Sequence, residues 1–94
     1  MKAKYLKYNY KKILSSIKDS KFYPRRAKKL HIQGAVKIKF LLKKDGSVVI
    51  EELISKKRFL KKATKKIIEK ASIYFPRPPE DLSIKITLVF KLQD

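Results

Sequence analysis

The closing segment of the chain, LSIKITLVFKL at residues 82–92, alternates in polarity from end to end and contains neither proline nor glycine. Leu82, Ile84, Ile86, Leu88, Phe90 and Leu92 fall on one side, and Ser83, Lys85, Thr87 and Lys91 on the other, where Val89 is the apolar exception. A period of two sustained this long specifies an extended strand with one dry face and one wet face. The same period governs an earlier segment. Val36, Ile38, Phe40 and Leu42 alternate there with Lys37, Lys39, Leu41 and Lys43. Two such strands define a sheet buried on one side, which other elements must cover.

Between them, Lys44-Asp45-Gly46-Ser47 is a tight-turn signal, with Gly46 free to take positive φ. SVVIEELIS then returns as a third strand, antiparallel to the one before the turn. Strict alternation from Val48 and Ile50 would bury Glu52 and expose Leu53, so a β-bulge is expected between Ile50 and Glu52 to restore the phase.

The remaining segments have helical spacing. Tyr10, Ile13, Leu14 and Ile17 stand at i, i+3, i+4 and i+7, with Asn9 as the expected N-cap and Asp19-Ser20 as the end. Tyr23 precedes Pro24 and is biased to extended backbone, while Pro24 opens a short helical turn reaching Leu30. Leu60, Ala63, Ile67, Ala71 and Tyr74 make a further stripe, with Ser55 as its expected cap and Pro76 as its stop. Tyr10, Tyr74 and Phe75 are read as core.

The element order is α-β-β-α-β. The fold class is α+β: a three-stranded antiparallel sheet, with a hairpin strand central and two helices packed on one face. Residues 9–94 form the domain and 1–8 are expected to be a flexible N-terminal extension.

Charge is the compositional outlier, with 26 Lys and Arg against 8 Asp and Glu, for a net +18. Residues 1–30 carry +10, 31–55 only +1, and 56–94 carry +7, so the excess coats the helical segments. Lys outnumbers Arg 22 to 4, which favours diffuse electrostatics over bidentate recognition of bases or phosphates. A nucleic-acid or polyanion-binding domain is the alternative reading on charge alone. It lacks a GXXG loop and has no aromatic residues on the wet sheet face, so no specific nucleic-acid partner is assigned.

Catalytic chemistry finds no foothold. There is no Cys, one His and two Gly, which leaves no thiol, no histidine-centred triad and no phosphate-cradling loop. Glu51 and Glu52 are neighbours on a strand and point to opposite faces. The reading is a non-enzymatic domain without catalytic residues, metal or cofactor.

Several short pieces, in order, resemble one family. They are YPRRA at 23–27, GAVKIKF at 34–40, Asp45-Gly46, the approach from Ala71 through Phe75 into PRPP at 76–79, and ITLVFKL at 86–92. Together they resemble the C-terminal periplasmic domain of the TonB energy-transducer family, from about Tyr10 to Leu92. The family's common Ser-Ser-Gly is Ser55-Lys56-Lys57 in this chain.

The resemblance implies a periplasmic domain of a protein held in the inner membrane by an N-terminal helix. It implies binding of the TonB box of TonB-dependent outer-membrane transporters by strand addition, in service of uptake of iron complexes or other nutrients. The strand edge implied is Ile84, Lys85, Ile86, Thr87, Leu88, Val89, Phe90 and Lys91. Tyr23, Pro24, Arg25 and Arg26 are implied to face the transporter plug. ExbB/ExbD-like inner-membrane proteins are implied as partners of the N-terminal part. Self-association through the open edge, giving a homodimer, is a further expectation. Which of Leu88, Val89 and Phe90 turns its amide to that edge is left open.

Overall fold

A computed structural model describes residues 2–92, with side chains from Lys4 onward. Helix α1 covers Lys2–Ser20 and the short α2 covers Arg25–Lys29. Strand β1 spans Gly34–Leu42, β2 spans Val48–Ile54, helix α3 spans Arg58–Ala71 with a 3₁₀ turn at Ser72–Tyr74, and β3 spans Leu82–Phe90. The sheet order is β2-β1-β3, antiparallel at both junctions; the central strand belongs to the hairpin, as expected, and is the first of its two, β1.

Alternation translates directly into burial. Val36, Ile38, Phe40 and Leu42 of β1 and Leu82, Ile84, Ile86, Leu88 and Phe90 of β3 are buried, while every residue between the β3 set is exposed. Ile13 and Ile17 of α1 and Leu60, Ala63, Ile67, Ile68 and Ala71 of α3 complete one core against that face. Burying each large aliphatic side chain contributes roughly 1.5–3 kcal/mol. Phe75 stacks on Phe40 with centroids 5.9 Å apart, which seals the end of the core. Thr64 is buried within α3 and donates its hydroxyl to Leu60 O at 2.8 Å.

The bulge lies where the phase required it. Phe40 pairs with Ile50 and Lys39 with Glu52, leaving Glu51 as the extra residue. Leu53 then faces Ile38 on the core side, and Glu52 stands opposite Lys39 on the wet side. Gly46, at φ +91°, makes the hairpin turn in a conformation that L side chains rarely adopt.

Helix boundaries and some faces differ from the expectations. α1 begins at Lys2, so the segment expected as an extension is, from residue 2, part of the helix, with Tyr5 buried in the core. Asn9 is not a cap. Its side-chain amide donates to Tyr5 O at 3.0 Å, one turn back inside the helix. Ser55 likewise does not cap α3. Its hydroxyl accepts the amide of Lys57 at 3.1 Å in the turn before the helix. Tyr10 and Tyr74, expected in the core, are exposed. Met1 and residues 93–94 lie outside the described residues.

Candidate functional site

The hairpin fixes which way each main-chain group of the sheet points. Lys43 donates its amide to Ser47 O at 2.9 Å and so forms a bonded pair at the hairpin end. Bonded and non-bonded pairs alternate along an antiparallel ladder. Lys37, Lys39 and Leu41 therefore turn their N–H and C=O toward β2, and Val36, Ile38, Phe40 and Leu42 turn theirs toward β3. The β3 partners of that second set are Leu88, Ile86, Ile84 and Leu82. Their main-chain groups are used within the sheet.

Ser83, Lys85, Thr87 and Val89 alternate with those partners and so point N–H and C=O away from β1, to the side where no strand lies among the described residues. Their side chains are also the exposed ones. Four residues thus combine outward-turned main-chain groups with accessible side chains along one edge. Ile84, Ile86, Leu88 and Phe90, the other β3 residues of the implied site, support that edge from the core side. Lys91 lies one residue past the strand.

The sheet's other edge is poorer. β2 is seven residues against nine for β3, and the bulge at Glu51 interrupts it. Bulged, short edges resist pairing with another chain, and regular ones invite it.

Several side chains frame the β3 edge. Tyr10 of α1 lines a depression of about 530 Å³ with Lys37, Lys39, Lys85, Ile86 and Thr87, so this tyrosine stands beside the middle of β3. Helical spacing placed Tyr10 in the core. Its exposure is set by where α1 runs over the sheet, which spacing does not encode. At the far end, Lys21 donates its ammonium to Val89 O and lies 5.1 Å from the Phe90 ring centroid.

The second implied set behaves differently. Tyr23 meets Phe90 edge-on, with centroids 5.7 Å apart, and donates its hydroxyl to Ile32 O. It braces the corner between α1 and α2. Pro24 sits at the start of α2, where its carbonyl accepts the amide of Lys28 at 2.9 Å. Arg25 and Arg26 are exposed on α2, and the Arg26 guanidinium lies 5.9 Å from the Phe59 ring on α3. The structure thus brings Tyr23 to the end of β3 and sets Arg26 against α3.

Fold and site together define a small α+β domain whose last strand keeps one long edge without a strand partner among the described residues. The family model for the Gram-negative bacterial TonB protein C-terminal region matches residues 19–92, and the chain belongs to that family. It is 36% identical over 84 residues to Protein TonB of Campylobacter coli, covering 87% of this chain and 36% of that protein. A Protein TonB from Helicobacter pylori is 29% identical over 85 residues, covering 88% of this chain and 30% of that protein. The chain therefore spans about a third of the length of these curated relatives. The solution structure of the Helicobacter pylori TonB C-terminal domain aligns at a TM-score of 0.78 with 28% identity, over 90% of this chain and 81% of that one.

Proposed function

We propose that this domain is a non-enzymatic coupling module of a TonB energy transducer, working in the periplasm. It receives the TonB box of outer-membrane transporters as an added strand on the free edge of β3. Force derived from the proton gradient reaches it through the part of such transducers that engages ExbB/ExbD-like inner-membrane proteins. The domain passes that force to transporters that take up iron complexes or other nutrients.

The observation that carries this reading is the parity of β3. Ser83, Lys85, Thr87 and Val89 hold their N–H and C=O groups where a guest backbone would continue the ladder. Each ladder bond contributes a net of about 0.5–1.5 kcal/mol. Ordering the guest costs about 1–2 kcal/mol per residue. Binding is therefore weak and reversible, roughly micromolar at best, as suits a coupler that releases its cargo carrier after each stroke. Tyr23, Pro24, Arg25 and Arg26 make a second contact with the transporter, near its plug.

Titration with a transporter's N-terminal box peptide, followed by backbone amide shifts, tests the reading. The largest shifts are expected at Ser83, Lys85 and Thr87, with smaller ones at Ile84 and Ile86. Shifts confined to the helices would contradict it.

A further inference from the structure

A regular strand edge that turns the main-chain groups of four residues outward is also a hazard, because a second copy of the same chain can pair with it. Lys21 stands at one end of that edge. It leaves α1 just past Ser20 and donates its ammonium to the main-chain carbonyl of Val89, one of the groups that the ladder parity turns outward. Its ammonium lies 5.1 Å from the centroid of Phe90, a ring that is itself buried and held edge-on by Tyr23. The contact joins residues 68 positions apart in the chain. Beyond Val89 the strand ends at Phe90, and the amide of Leu92 returns to the β1 side to meet Gln33 Oε1 at 2.8 Å.

We infer that Lys21 terminates the strand-accepting edge: its ammonium holds the Val89 carbonyl, so that a guest backbone gains full pairing only along Ser83, Lys85 and Thr87. This inference rests on the edge reading of β3 given above and adds to it a length limit and a guard. A guest that continues past Thr87 must displace a charge-assisted hydrogen bond and the cation from its aromatic face. A guest that stops at Thr87 displaces neither. A second β3 meets the same obstacle and also brings its own Lys85 and Lys21, so pairing between copies is opposed by like charge as well. Lys21 is thus a specificity-determining residue for guest length and a gatekeeper against self-pairing.

The test uses the whole chain as wild type and as Lys21→Met, which keeps an apolar stem over Phe90, with Lys21→Arg as the conservative control. Box peptides from one transporter are lengthened two residues at a time, and affinities are measured by titration of backbone amides. For the wild type and Lys21→Arg, affinity is expected to level off once the peptide spans Ser83 to Thr87. For Lys21→Met, the longer peptides are expected to bind about two- to tenfold tighter, as one further pair of ladder bonds allows, and Val89 joins the shifted amides. Sedimentation is expected to show more dimer for Lys21→Met than for wild type at equal concentration. Equal length dependence in all three proteins, with binding at β3 intact, would overturn the role of Lys21 alone. Absence of any β3 shift in the wild type would overturn the edge reading and this inference with it.

Discussion

Tyr5 in the second turn of α1 donates its phenolic hydrogen to the main-chain carbonyl of Pro76, tying the start of the chain to the proline connector 71 positions later. The ring is buried among core residues, and burial pushes the phenol's pKa up from its ordinary value. Loss of the hydroxyl in Tyr5→Phe leaves that packing and removes one hydrogen bond, for an expected cost of about 0.5–1.5 kcal/mol. Denaturant titration checks this. A raised folded-state pKa also means that the contribution is fully present below about pH 10 and is lost as pH rises through the higher folded value. The gap between wild type and Tyr5→Phe should therefore narrow in strong alkali.

His31 closes α2 in the left-handed region at φ 56°. Its amide donates to Lys28 O at 3.2 Å, and that of Ile32 to Ala27 O at 2.8 Å, the paired bonds of a Schellman ending. Glycine is the residue that takes this backbone without a Cβ penalty. His31→Gly should raise stability by about 1 kcal/mol, measured as a shift in the denaturation midpoint. No change, or a loss, would count against the assigned backbone.

Asp45 organises the hairpin turn. The Ser47 hydroxyl donates to its carboxylate at 2.6 Å and the Ser47 amide at 2.9 Å. These bonds, with smaller help from Lys43 and Arg77, hold its pKa below the ordinary carboxylate value despite slight desolvation. With the folded value depressed, its contribution is present above about pH 4 and is lost as pH falls through the lower folded value. Asp45→Asn should flatten that part of the acid limb. An unchanged acid limb would show that the turn does not depend on this charge.

Tyr23 separates a brace from a contact. Tyr23→Phe keeps the edge-on packing against Phe90 and loses the hydroxyl's bond to Ile32 O. It should cost about 0.5–1.5 kcal/mol of stability and leave box-peptide affinity unchanged within about twofold. A large loss of peptide affinity without destabilisation would make Tyr23 part of the peptide site.

The strands were legible because one buried face makes register and side-chain parity the same question. Leu53 and Glu52 could satisfy their environments only through a bulge, and Glu51 supplies it. Helix ends were less legible, because Asn9 and Ser55 form local hydrogen bonds equally well inside a helix or in a turn before one. Tyr10 follows the helical period, yet its burial depends on how far α1 reaches over the sheet, and Tyr74 falls in the 3₁₀ turn after α3, where the 3.6-residue period no longer holds. The polarity of the β3 edge was invisible in its own sequence. It is set by the Lys43–Ser47 bond in the hairpin, 36 or more residues earlier in the chain, and passed across β1.

Proline at Thr87 tests the central claim most directly. Thr87 turns its amide to the free side in the middle of β3, clear of Lys21, so the substitution removes no ladder bond and puts a ring where a guest strand would lie. Titration of folded Thr87→Pro with a box peptide that binds the wild type should show affinity reduced at least about tenfold. Retention of wild-type affinity by a folded Thr87→Pro protein would contradict strand addition at this edge.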